Sequence, residues 1–234
     1  MASPSAVARD AFNVTLADLV KAQSAPFRIM VAKDVDMTNS IEEIFAAESP
    51  NIQARPTFTA TYAADATDKR AEGTDTQTIT ASGGTLTYNR IFLLMTTTAD
   101  GTPSTTGPQS FTNSGVNAST DTITLAGHGF SDDDRVIIVA ASGSTLPGGL
   151  PNPPAIKYVG SSTTDTFQLY DAAGAAGLVD IVSTGSGTFY AIAANGLPMG
   201  FSTEATDVTL GDGATKDIVL DAYWMRVAGT TTGV

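Results

Sequence analysis

A chain of 234 residues with 42% hydrophobic content is long enough to fold one or two units around buried cores, although only 15% of it is charged. Its net charge of −12 argues against the clustered cationic surface that phosphate recognition needs, so nucleic acid is not an expected partner. With no cysteine and one histidine, disulfides, Cys-ligated metals and multi-His metal sites are excluded too. No apolar run approaches a membrane span, and the opening MASPSAVARDAFNV lacks a hydrophobic signal core. No membrane partner and no classical export are therefore expected. Thr and Ser fill the polar positions, 35 and 18 of them. Thr is β-branched and suits strands; with 22 Gly and 11 Pro as punctuation, the composition predicts an all-β protein.

In chain order, residues 1–12 read as an extended arm. A short helix is predicted over 15–23, capped by Thr15 with Asp18 three residues on, and Leu16, Leu19 and Val20 form its apolar stripe. FRIMVA (27–32) reads as a strand. A second helix is predicted over 40–47, where Ser40 and Glu43 have capping-box spacing and Ile41, Ile44 and Phe45 share a face. Strands follow at 56–63, 75–81 and 88–97; in the last, Ile91, Phe92, Leu93, Leu94 and Met95 run continuously, as in a strand covered on both faces.

TTTADGTPSTTGPQS (96–110) reads as a polar linker and AANGLPMG (193–200) as a second punctuation point. Between 100 and 197 there are eight Asp and no Glu; all five Glu lie outside. This shift divides the chain into a discontinuous host domain, 1–99 plus 198–234, and an inserted module, 100–197. Within the insert, strands are predicted near 121–125, 134–141, 155–160, 165–170, 178–182 and 187–192. So many short strands suit a small sandwich or barrel of immunoglobulin-like size. The host resumes with strands at 206–210 and 216–227, joined by the hairpin signal LGDGA. In the second, Ile218, Leu220, Ala222 and Trp224 lie on one face, with Val219, Tyr223, Met225 and Val227 largely on the other. The fold class expected is all-β with two short helices: a sandwich or jelly-roll-like host carrying a small inserted β-sandwich or barrel.

Few residues offer chemistry. His128 sits in GHGF, beside Ser131 and the acidic run Asp132, Asp133 and Asp134. A nucleophilic triad is assembled by folding, not by local crowding, and the two glycines of GHGF suit a turn with positive φ. The acidic run lacks the Gly and closing Glu of a calcium loop, and adjacent side chains point apart, so a solvated turn is expected. Asp207, Asp212 and Asp217 are discounted similarly. GGTL (83–86), LPGGL (146–150) and GSGT (185–188) have no phosphate-loop context. Tyr158, Phe167, Tyr170, Phe189 and Tyr190 would suit a sugar-stacking face or a core. No catalytic, cofactor or metal site is expected.

The stretch 119–188 has a distinctive phrase order: DTITL, GHGF, DRV, LPGGL, YV, DTFQL, GSGT. This order resembles a small domain recurring in virion proteins of tailed bacteriophages, especially tail and fibre-like proteins. The host parts are an apolar strand, a short helix from Ile41 on to the acidic Glu48, a Thr-rich strand, the Phe92-Leu93-Leu94 strand, and a final Asp221-x-x-Trp224-x-Arg226-Val227 strand. They are similar in order to small phage proteins that decorate capsids or tails. SPNIQARP stands where that pattern has a Gly-Tyr pair.

The resemblance implies a non-enzymatic virion structural protein, assembled in the host cytoplasm. It would be a capsid decoration or cement protein that binds the particle lattice through the host domain and projects the insert. A major tail-tube subunit with a surface domain and a glycan-binding adhesin are the alternatives. Expected partners are the major capsid protein or tail subunits and further copies of the chain, with host-surface glycans as a further possibility. The docking residues expected are Ala2, Val7, Phe12, Leu16, Leu19 and Val20.

Overall fold

The computed structural model describes residues 27–58, 63–65, 70–97 and 100–223. Among them the protein is mostly β and all named strand pairs are antiparallel. One sheet contains β1 (Phe27–Ala32), β2 (Thr57–Phe58), β5 (Leu86–Met95) and β14 (Leu197–Leu210), in the order β14-β5-β1-β2. A second contains β3 (Ala63–Asp65), β4 (Arg70–Thr80) and β15 (Thr215–Tyr223), in the order β15-β4-β3.

These two sheets share one long ribbon. β5 pairs with β14, and β4, which precedes β5, pairs with β15, which follows β14. The ribbon folds over where Gly83 and Gly213 take positive φ (81° and 75°), and reciprocal 2.9 Å bonds, Ala81 N to Ala214 O and Gly213 N to Ala81 O, cross-tie the bend. The fold encloses a core to which Ile29, Val31, Tyr88 and Leu93 contribute from one layer and Ile79 and Ile218 from the other. The host is therefore sandwich-like.

A third sheet is built from 109–193. Its strands are β6 (Gln109–Thr112), β7 (Val116–Asn117), β8 (Thr122–Thr124), β9 (Arg135–Ala140), β10 (Lys157–Gly160), β11 (Thr166–Ala172), β12 (Ala176–Leu178) and β13 (Thr188–Ala193). The order is β6-β13-β9-β10-β11-β8-β7, with β12 on β11. Its two ends, β6 and β7, are joined by a 3₁₀ turn of only 3 residues, Asn113–Gly115. The sheet therefore curls round its own core, in which Phe111, Val116, Ile123, Val159, Phe167 and Phe189 meet. The whole of it occupies the loop of the β5–β14 hairpin, since Met95 and Leu197 are register partners.

The helix α1 (Ile41–Ala46) starts as its sequence predicts: Glu43 N donates to Ser40 Oγ, and the Glu43 carboxylate accepts from Ser40 N, which completes a capping box. Ile44 and Phe45 are buried. Both faces of β5 are covered: Ile91, Leu93 and Met95 face the sandwich core, while Phe92 and Leu94 face α1 and the inserted sheet.

Several boundaries differ from expectation. The segment 96–110 is more than a linker: it ends in β6, and Pro103 and Gly107 are buried. β6 and β7 were not predicted, because QSFT and VN are too short to show a period. The segment 193–200 is the end of β13 and the start of β14. β14 begins well before 206 and absorbs two register shifts, which blur its alternation. β4 begins at Arg70, because β15 supplies it with partners from Thr80 to Glu72. Of the strand predicted over 178–182, only Leu178 lies in β12, yet Val179 and Ile181 still point inward. Of 56–63, Thr57–Phe58 is a strand; β3 begins at Ala63. The arm, the helix over 15–23 and residues 224–227 lie outside the described residues.

Candidate functional site

The most heavily built polar site lies where the inserted sheet meets the sandwich. Apolar residues make the seam: Phe45, Phe92 and Leu94 on one side, Ile137, Ile192 and Ala194 on the other. Beside Phe45, the chain leaving α1 carries Glu48 and then Arg55, and both side chains have 0% exposure. Arg55 Nε donates to Glu48 Oε1 at 2.8 Å and Nη2 to Oε2 at 2.5 Å. Nη2 also donates to Ala193 O at 2.7 Å, and the Arg55 backbone N donates to Thr105 O at 2.8 Å. The guanidinium carbon lies 5.9 Å from the Phe45 ring centroid. Arg55 thus touches both stretches of chain that cross between sandwich and insert. Burial pushes the Glu48 carboxyl above its ordinary value, against the opposing pull of Arg55.

The two crossings are also tied to each other and to the insert. Gly196 N donates to Asp100 O at 2.7 Å, and Gly196 takes φ 91°; a Cβ there would meet Pro103 at 2.5 Å. Arg135 forms an ion pair with Asp100, and its backbone N donates to Asn195 Oδ1 at 2.7 Å. Asn195 Nδ2 donates to Asp134 Oδ1 at 2.7 Å. A cleft of about 470 Å³ opens at the same junction, lined among others by Lys33, Ala47, Glu48, Ser49, Thr87 and Tyr190. Its charged groups are engaged: Lys33 Nζ lies 2.8 Å from Asp207, and both Glu48 oxygens accept from Arg55.

The residues singled out in the sequence are dispersed. His128 is 1% exposed and packs at 5.0 Å from Phe167 and 5.2 Å from Phe130 (ring centroids). Its Nδ1 accepts from Phe130 N at 2.9 Å, which leaves the proton on Nε2, 3.4 Å from Thr166 O. Both nitrogens therefore face backbone, and Gly127 and Gly129 take the positive φ (63° and 69°) expected of the turn.

The three aspartates each brace a different loop. Asp132 accepts from Ser162 N, which holds its carboxyl below the ordinary value; Asp133 accepts from Gly174 N, and Asp134 from Ser131 N. Asp207 binds Lys33 and Asn89, Asp212 accepts from Gly83 N, and Asp217 from the Thr78 hydroxyl. Among the described residues, no group of three His, Cys, Asp or Glu could hold a metal ion.

Of the aromatics, Phe167 and Phe189 are fully buried, Tyr170 is nearly so, and Tyr158 and Tyr190 are half-buried. The exposed large hydrophobics among the described residues are Met37, Leu178, Val182 and Val219, none of them aromatic. Ala2, Val7, Phe12, Leu16, Leu19 and Val20 lie outside the described residues.

Nothing local in the sequence marks Arg55. It sits in an irregular stretch, seven residues from Glu48, with no periodicity to announce a partner. Comparison with family models, curated proteins and solved structures gives no match.

Proposed function

We propose that this chain is a non-enzymatic structural protein of a tailed-phage virion, present in many copies: a capsid decoration or cement protein. In this reading it binds the particle lattice through the sandwich and presents the inserted sheet outward. The observation that supports it is a recognisable module on a fixed seat. The phrases of 119–188, similar to those of phage tail and fibre-like proteins, fold within a self-enclosed sheet in the loop of one sandwich hairpin, packed on α1 and β5. Its partners are the major capsid protein and further copies of the chain. Many modest contacts on a symmetric lattice then add up to tight retention.

One feature favours a second reading, a major tail-tube subunit with a surface domain. β15 keeps nine consecutive register partners on β4 without a bulge and stands at the edge of its sheet among the described residues. An unbulged edge is suited to pairing with a strand of a neighbouring subunit, and head-to-tail pairing of that kind generates rings where the rotation closes.

Quantitative mass spectrometry on purified particles, with heads and tails separated, tests both. High copy number with heads supports decoration. High copy number with tails overturns it in favour of the tube, a few copies at a tail tip favour an adhesin, and absence from particles overturns the virion reading.

A further inference from the structure

The seam between sandwich and insert carries charge that stability does not call for. Taking Glu48 and Arg55 out of water costs more than their attraction commonly returns, and an apolar pair of similar volume is often as stable or more so. The Arg55 Nη1 is moreover buried without a hydrogen-bond partner among the described residues.

Apolar burial is already supplied there by Phe45, Phe92, Leu94, Ile137 and Ile192. Such contact is non-directional: two apolar faces can turn or slide on one another with little loss. Hydrogen bonds are directional, and those of Arg55 point three ways. Its side chain grips Glu48 beyond α1, its Nη2 also holds the end of β13 through Ala193 O, and its backbone N holds the incoming segment through Thr105 O. The Arg135–Asp100 pair and the Asn195 bonds tie the crossings to the inserted sheet; Arg55 ties them to the sandwich.

We propose that the Glu48–Arg55 pair is an orientation latch. It sets the angle of the inserted sheet on the sandwich, and a chain without the pair keeps both folds while the insert samples a range of angles. The inference does not rest on the virion reading.

The full chain allows a clean test because it has no cysteine. Thr209→Cys on β14 and Ala173→Cys beyond β11, both exposed positions, take a pair of spin labels. Their distance distribution, measured by pulsed electron resonance, reports the angle. In the labelled parent the distribution is narrow. Glu48→Gln alone strands a buried cation and lowers the thermal midpoint by roughly 6–20 °C. The double variant Glu48→Leu/Arg55→Met restores the midpoint close to the parent but widens the distribution. An equally narrow distribution in the double variant overturns the proposal, as does an unchanged midpoint in Glu48→Gln. Should the double variant not fold, Arg55→Lys keeps the charge without the planar fork: a wider distribution supports the latch, and an unchanged one overturns it.

Discussion

The inner core of the inserted sheet and the seam against the sandwich are both buried, yet they treat polar groups differently. The inner core is apolar apart from His128, whose ring bonds only to backbone a few residues away or on the adjoining strand. The seam has Glu48, Ser49, Arg55 and Asn195 buried at its margin, bonding between segments far apart in sequence. A closed core needs only volume and complementary shape. A contact between two units also needs a register, and directional bonds supply it.

The largest expected effect comes from emptying each site in turn. Phe45→Ala in the seam and Phe167→Ala in the inner core both remove a fully buried ring, at a cost of ~3–5 kcal/mol each. Calorimetry distinguishes them: the seam variant splits the unfolding endotherm into two, whereas the inner-core variant lowers the insert alone. A single shared transition in both breaks the comparison. His128→Ala is next, ~1–3 kcal/mol, because Phe130 N loses its acceptor. Hydrogen exchange is expected to rise within 109–193 and not in the sandwich strands. Ser40→Ala removes the cap of α1, which props the seam; about 1 kcal/mol of stability is expected to go, read in chemical denaturation.

The smallest effect is the share of the acid response carried by two exposed carboxylates. Asp207 is held below its ordinary value by the hydrogen bond from Lys33, and Glu43 by that from Ser40 N. A carboxylate depressed in the fold contributes stability above its unfolded pKa and loses it as pH falls through the folded value. Their contribution to the thermal midpoint is therefore expected to be lost below pH ~4, and Glu43→Gln to flatten part of that slope. Both groups are exposed, so solvent screening keeps the change slight; an identical slope in Glu43→Gln counts against the capping-box contribution.

Much of the fold was readable where signals are local. Ser40 and Glu43 marked the start of α1, Gly127 and Gly129 marked a turn, and the unbroken run from Ile91 to Met95 foretold a strand covered on both faces. β6 and β7 were invisible because a strand of two to four residues carries no period, and they exist only by pairing with β13 and β8. The early part of β14 was hidden by its two register shifts. The candidate site was less legible. Glu48 drew notice as the acidic residue after α1, whereas nothing near Arg55 announced its partners, which lie 7, 50 and 138 positions away.

The sequence by itself determined the β class, the positions of the main turns and helix cap, and the absence of cysteine chemistry, because each depends on composition or on neighbours a few residues apart. The tertiary structure decided what covers the second face of β5, how the β4–β5 and β14–β15 ribbon folds into two layers, and which cation neutralises Glu48. Those outcomes depend on contacts between segments up to 138 residues apart, and such contacts have no periodicity in the chain: they arise only when burial forces polar groups to find partners wherever the fold brings them.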